Sequence, residues 1–272
     1  MIRRHIARKP LYSGIASREG RSAARSCSLD RESFSRPELS SALMTTAPHP
    51  GRPVGPDSSA QPVALLALDD TLTDRAAAFA AWAKEFAAAH SLPEQWLHDA
   101  DAEHSGRRRD FFALAKTTYA LPGTVEEHYT AFRRRTPQLV PHRPAVNAAI
   151  QALAAHGWQL AVVTNGDHDA QHAKLAAAGL ADLLPTVVVS SDHGVRKPDP
   201  ALFHAALARL GATTKEAWVI GDSLEADIAG GNRAGLRTLW LSHGRPHPGG
   251  PLPQHTADDI VEACAWLLAQ ER

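Results

Sequence analysis

The feature that most constrains this chain is an alternation that begins near Gln61. Short apolar runs, each ending in a polar loop, are separated by stretches of helical spacing. Val63-Ala64-Leu65-Leu66 is apolar at every position, as a parallel strand covered on both faces must be. The runs at 158–163, 186–189, 217–220 and 237–241 read as further strands, and the stretches 168–178, 200–210, 225–234 and 257–270 as helices. Pro144 suits the first turn of another helix, whose apolar stripe includes Val146, Ile150 and Leu153 and whose stop is Gly157. Strands alternating with helices of this length predict right-handed β-α-β units. The expected fold class is α/β, a Rossmann-like parallel sheet with helices on both faces.

The block from 75 to 142 breaks the alternation. Phe79, Trp82 and Phe86 recur at helical spacing within 75–90, with Thr73 or Asp74 available as N-cap. Further helical stretches run near 107–119 and 124–135, and no strand pattern intervenes. A small all-helical cap is therefore expected at 75–142, inserted after the first strand, with 61–74 and 143–272 forming the α/β core. A chain of 272 residues with 44% apolar content is long enough for one such domain.

Residues 1–60 have a different texture, rich in Arg, Ser, Pro and Gly, and their first acidic residue is Glu19. That composition resembles an organellar transit peptide, yet its apolar content is too low to offset the entropy of ordering it. The expectation is a disordered leader, or upstream sequence ahead of a true start at Met44.

Charge and cysteine content exclude several function classes. Lys plus Arg and Asp plus Glu are equal at 29 each, so nothing marks a dedicated nucleic-acid binder. Cys27 lies in the polar leader and Cys264 in an apolar helical pattern, which suggests neither a disulfide framework nor a thiolate metal site. No run approaches the ~18 apolar residues of a membrane span. A cytoplasmic protein is expected.

In open α/β sheets, ligands bind beyond the carboxyl ends of the strands, so the loops after the apolar runs carry the information. The first run leads into Ala67-Leu68-Asp69-Asp70-Thr71-Leu72, and the run at 158–163 into Thr164-Asn165-Gly166. The third leads to Arg196-Lys197-Pro198, and the fourth to Gly221-Asp222-Ser223 with Asp227 five residues past Asp222. Taken singly these are helix caps and turns. Together they place carboxylates, a hydroxyl and a lysine at one sheet edge. Carboxylates with water suit Mg²⁺, and a lysine beside a hydroxyl suits a phosphoryl group, whose transfer needs positioning and charge neutralisation.

In order and content these loops resemble the four motifs of the haloacid dehalogenase superfamily. Its first motif is an apolar strand followed by Asp-x-Asp-x-Thr-Leu. The second is a strand ending in Ser or Thr, the third a Lys, and the fourth an acidic pair after a strand. Thr164, Lys197, Asp222 and Asp227 occupy the last three motifs, and the block at 75–142 is similar to the helical cap of the subgroup containing phosphoglycolate-type and nucleotide phosphatases. The resemblance spans roughly 62–243 and implies a Mg²⁺-dependent phosphatase of a small phosphorylated metabolite. It implies that Asp69 is the general acid and base, with its carbonyl on the metal. Thr164, Asn165 and Lys197 would hold phosphate, and Asp222 and Asp227 would hold the metal.

Ala67 departs from the pattern. Thr71-Leu72 anchors the frame and puts Ala67 where the family has the aspartate that attacks phosphorus, becomes an aspartyl-phosphate and ligates the metal. An alanine supplies neither function, so turnover is expected to be crippled. A register slipped by two residues, with Asp69 as nucleophile, would empty the acid-base position. An engineered change, a natural loss of catalysis and a sequence error all fit the alanine. The reading from a different class is a catalytically inactive binding or regulatory protein.

Other signals carry less. His168 and His172 share a helical face, but the residue after His168 is Asp169 rather than the glutamate of a zinc protease. Arg107-Arg108-Arg109 and Arg133-Arg134-Arg135 read as solvated faces, with the sharper alternative that one run holds an anionic substrate tail. Phe79, Trp82 and Phe86 are expected in the core of the helical block. The dinucleotide, P-loop and acyl-hydrolase fingerprints are absent.

Overall fold

The computed structural model describes residues 61–270 apart from Ser105. The leader expected at 1–60, with Cys27, lies outside them. Strand β1 (Val63–Leu66) is followed by helices α1 (Arg75–His90), α2 (Glu94–Glu103), α3 (Arg108–Tyr119) and α4 (Val125–Arg135), and by a 3₁₀ turn at Thr136–Leu139. Helix α5 (Pro144–Ala155) leads into β2 (Gln159–Thr164), α6 (His168–Ala177), β3 (Val187–Val189), the short α7 (Ser190–His193) and α8 (Pro200–Leu210). Strand β4 (Ala217–Gly221) passes through a π-helical turn (Leu224–Ala229) into the short α9 (Gly230–Arg233). Strands β5 (Arg237–Leu241) and β6 (His255–Ala257) and helix α10 (Ile260–Ala269) complete the chain.

The six strands form one sheet in the order β3-β2-β1-β4-β5-β6, and every pairing is parallel. The α/β class is as expected. The chain first walks outward from β1 through β2 to β3, then returns to add β4 on the other side. Strand order therefore reverses at β1, and the crevice that such a reversal leaves at the carboxyl edge is where ligands bind.

Alternation along β1 splits the core. Ala64 and Leu66 belong to one buried cluster with residues of α5 and α10, including Ile150, Leu153, Ile260 and Leu267. Val63 and Leu65 belong to the opposite cluster, with Leu202, Phe203 and Leu207 of α8. Cys264 is buried among the first set, and burial pushes its thiol up to about 12.

The helical stretch from Arg75 to Leu139 has its own aromatic core. Phe79, Trp82, Phe111 and Phe112 are buried together, with Phe86 packed against them, and Asp74 caps α1 by accepting from the Ala77 N–H at 2.8 Å. Helix α2, the 3₁₀ turn, the short α7 and strand β6 escaped the sequence pattern. Helix α2 buries only Leu97, Ala100 and Asp101, a stripe too thin to read. Strand β6 is three residues of His, Thr and Ala, so the stretch expected as one helix from 257 instead starts as a strand. Asp259 then caps α10 by accepting from the N–H groups of Val261 and Glu262. Among the described residues, no helix is long and apolar enough to cross a membrane.

Candidate active site

Leu66 pairs with both Val162 and Ile220, and β2 and β4 run two and one residues further, so the three parallel strands end close together and their loops open on the same side. Ala67, Asp69, Thr164, Asn165, Lys197, Asp222 and Asp227 all line one cavity there, of about 720 Å³. The sequence-derived site residues thus converge at a single place.

Ala67 is buried, and its N–H donates to the Ile220 carbonyl at 2.9 Å. It is among the residues that line the cavity. Beyond it the Leu68 carbonyl accepts from the N–H groups of Leu72 and Thr73, both at 3.0 Å, and from the Thr73 hydroxyl at 3.1 Å. This wrapping forces Asp70 to φ 54°, a left-handed conformation that aspartate tolerates better than most residues.

The turn presents Asp69 to α6. Lys174 Nζ donates to its two carboxylate oxygens at 2.7 and 2.8 Å, and Gln171 Nε2 to one of them at 3.3 Å. Burial, the largest single influence, would raise the Asp69 carboxyl, but the charge and hydrogen bond of Lys174, the Gln171 hydrogen bond and the Arg75 charge together hold the group below the usual carboxylate range. Asp69 is therefore poised as a base; to act as an acid it must first be released from Lys174.

The side formed by Thr164, Asn165 and Lys197 is equally tied. The buried Thr164 hydroxyl accepts from Gln171 Nε2, which leaves its own O–H to donate elsewhere. Asn165 clamps the neighbouring loop: its Oδ1 accepts from the Lys197 N–H at 2.8 Å and its Nδ2 donates to the Lys197 carbonyl at 3.0 Å. Lys197 Nζ donates to the Val163 carbonyl at 2.6 Å and to Asp227 at 2.7 Å. Its third N–H remains for a ligand. The π-helical turn after β4 brings Asp227 back to accept from the Ser223 N–H at 3.1 Å. Only a glycine fits at 221, because a Cβ there would collide with the Asp227 carboxylate.

Asp222 stands apart. Its carbonyl accepts from Trp240 Nε1 at 2.9 Å, but its carboxylate has no hydrogen-bond partner among the described residues. Burial first, then the charges of Asp227 and Asp70, push it up to about 7 from 3.8. A carboxyl raised by folding contributes stability that is complete below about pH 4 and lost as pH rises through about 7. Urea unfolding is thus expected to show the protein less stable at pH 8 than at pH 5. Asp222→Asn, neutral throughout, is expected to be more stable than the parent at pH 8. An unchanged stability at pH 8 would remove the claim that Asp222 is strained by its neighbours.

Gln171 and Lys174 were missed in the sequence. They lie three apart on α6, so they share a face, and they follow Thr164 closely enough to fold back onto it. Arg75 and Arg196 also line the cavity; Arg75 gave no signal, and Arg196 appeared only as the residue before Lys197. His168 and His172 have tilted rings with centroids 4.3 Å apart, and His168 bonds Asp192. Among the described residues, no group of three or more His, Cys, Asp or Glu side chains is placed to hold a metal. Each arginine run divides. Arg109 and Arg135 pair with Glu126 and Glu85 at the surface, whereas Arg108 turns inward to Asp101 at 2.6 Å and Arg133 joins Asp167 and Asp169.

Residues 68–235 match the model of the haloacid dehalogenase-like hydrolases. The chain belongs to this family. Phosphoserine phosphatase from Thermus thermophilus is 34% identical over 157 residues, which cover 57% of this chain and 63% of that protein. The pyrimidine 5'-nucleotidase YjjG of Escherichia coli is 32% identical, over 56% of this chain and 67% of its own length. The chain thus spans about two thirds or less of these relatives. Among solved folds of haloacid dehalogenase type, YfnB from Bacillus subtilis, bound to magnesium, aligns with a TM-score of 0.65 and 24% identity, covering 77% of this chain and 99% of that one. A 2-haloacid dehalogenase from Pseudomonas syringae aligns at 0.57 and 26%, covering 78% and 100%.

Proposed function

We propose that this chain is a phosphomonoester phosphatase scaffold of the haloacid dehalogenase type. Its helical stretch from Arg75 to Leu139 serves as the cap, and Ala67 disables its covalent chemistry. The observation that carries this reading is the convergence of Thr164, Asn165, Lys197, Asp69, Asp222 and Asp227 on one cavity around Ala67. The phosphatases among its relatives support a small phosphorylated metabolite as the ligand.

In this reading the Thr164 hydroxyl and the third N–H of Lys197 donate to phosphate oxygens, and Lys197 offsets their charge. Gln171 orients Thr164, and Asn165 holds the Lys197 loop in place. Asp69 faces the leaving oxygen. The donor set suits a hard divalent cation: Asp222 is an unpartnered carboxylate beside Asp227 and Asp70, and Mg²⁺ needs few protein ligands. Asp222 and the Asp69 carbonyl would hold the ion, with Asp227 in support, and the bound ion would neutralise charge on the phosphoryl group. Without a carboxylate at 67 one anionic ligand is missing, so the ion would be held more weakly than by a three-carboxylate site.

The test is calorimetric titration of the chain with inorganic phosphate, with and without MgCl₂. Phosphate binding is expected, strengthened by magnesium, and weakened at least about ten-fold by Lys197→Met. Absence of binding under both conditions would sink the reading. The alternative, an inactive binding or regulatory protein, rests on Ala67 itself and shares this binding prediction; restoring the carboxylate separates the two.

A further inference from the structure

The paired histidines of α6 do not line the cavity of the candidate active site. His168 opens the helix and His172 stands one turn further on, so their side chains share a face. The ring centroids lie 4.3 Å apart with the planes tilted by 36°. His168 is exposed and His172 is half-buried. Two imidazole nitrogens on a tetrahedral ion, each at ~2.0–2.1 Å from it, lie about 3.3 Å from one another. Rings this close can bring one nitrogen each to that separation by side-chain rotation alone.

The first of the two rings is already oriented. The Asp192 carboxylate of α7 lies 2.8 Å from His168 Nδ1, and the hydrogen bond from His168 holds the Asp192 carboxyl below its usual range. An ionised carboxylate only accepts, so Nδ1 carries the hydrogen and the Nε2 of a neutral ring keeps its lone pair. A carboxylate behind an imidazole is the arrangement that orients metal-bound histidines and raises their basicity. Asp192 is held in turn: Ser191 Oγ donates to its other oxygen at 3.2 Å and accepts from the His168 N–H at 3.0 Å. His172 makes no side-chain hydrogen bond among the described residues, which leaves its acceptor nitrogen free. The positive end of the α6 dipole works against a cation here, and the Asp192 charge offsets it.

We infer that His168 and His172 form a two-point site for a borderline transition-metal ion, of the class of Zn²⁺, Ni²⁺ or Cu²⁺, with Asp192 as the outer group that fixes His168. Imidazole nitrogens select such ions, whereas Mg²⁺ takes oxygen. Donor type therefore sorts this ion from the magnesium proposed for the carboxylates of the cavity. Two imidazoles fall short of the four ligands of a closed structural zinc site, so water completes the shell and the ion stays exchangeable. Bound there, it would tie together the first turns of α6, the helix whose Gln171 and Lys174 hold Thr164 and Asp69. The site goes beyond the phosphatase reading and does not depend on it.

The experiment is calorimetric titration of the full chain with ZnCl₂ and with NiCl₂, in excess MgCl₂ so that magnesium competes at oxygen sites. The parent is compared with His168→Ala, His172→Ala, the double variant and Asp192→Asn. Alanine suits both helical positions, and circular dichroism checks the fold of each variant. The parent is expected to bind one more equivalent of ion than either single alanine variant. The double variant is expected to lose no more than each single one, because a chelate needs both rings. Asp192→Asn is expected to keep that equivalent but bind it about ten-fold more weakly. Equal stoichiometry in the parent and the alanine variants would overturn the site. Loss with one alanine but not the other would overturn the pair. Undiminished affinity in Asp192→Asn would overturn the role given to Asp192. A chain that takes up zinc through both histidines yet ignores inorganic phosphate would keep this site while the phosphatase reading failed.

Discussion

Hydrolysis of p-nitrophenyl phosphate is expected to rise by about 10³- to 10⁴-fold when Ala67 is replaced by aspartate, in the presence of magnesium. The upper limit comes from the nucleophile: removing one in another hydrolase costs on the order of 10⁶ in turnover. The discount comes from Asp69, whose carboxylate is held ionised by Lys174; withholding a general acid costs about 10²-fold or more. The new carboxylate would also add charge to a site that already contains Asp69, Asp70, Asp222 and Asp227. It should raise the Asp69 carboxyl toward a useful range while making the fold depend more on a bound cation. The gain should therefore be larger below neutral pH, where Asp69 is more readily protonated. Should Ala67→Asp fold and bind phosphate but hydrolyse nothing, the cavity has diverged beyond its nucleophile, and the inactive binding protein becomes the better reading. Brisk turnover by the parent would mean that the nucleophile lies elsewhere.

The sequence was most readable where burial dictates residue type. Val63-Ala64-Leu65-Leu66 announced a central parallel strand because both of its faces are covered. Once the strands were placed, topology alone put Thr164, Lys197, Asp222 and Asp227 at one edge. Helix α2 and strand β6 were not readable, because a thin stripe and a three-residue edge strand leave no period to detect. The side chains that tune the site were the hardest. Gln171 and Lys174 look like ordinary polar positions on a helix, and only the turn at Asp70, which aims Asp69 at α6, gives them a role. In the same way, the arginine runs looked uniform along the chain. Packing singled out Arg108 and Arg133 by turning them inward while their neighbours stayed at the surface.

Asp227→Ala is expected to lower the unfolding midpoint by roughly 6 to 15 °C, corresponding to about 3–5 kcal/mol. The Lys197–Asp227 pair is buried, with side-chain exposures of 6% and 3%, so the lysine would keep only the Val163 carbonyl as a partner. The Ser223 N–H would lose its acceptor as well. Most of this cost belongs to an ammonium stranded in a dry site rather than to the pair itself. Removing both charges, as Lys197→Met with Asp227→Ala, should therefore recover a large part of the loss. Thermal unfolding of the parent, the single and the double variant decides it. A single variant within about 2 °C of the parent would mean that water reaches Lys197 and that the pair is not dry. A double variant no better than the single would instead assign the loss to the Ser223 turn. Asp227 would then act by shaping the π-helical turn, and Lys197 would not depend on it for position.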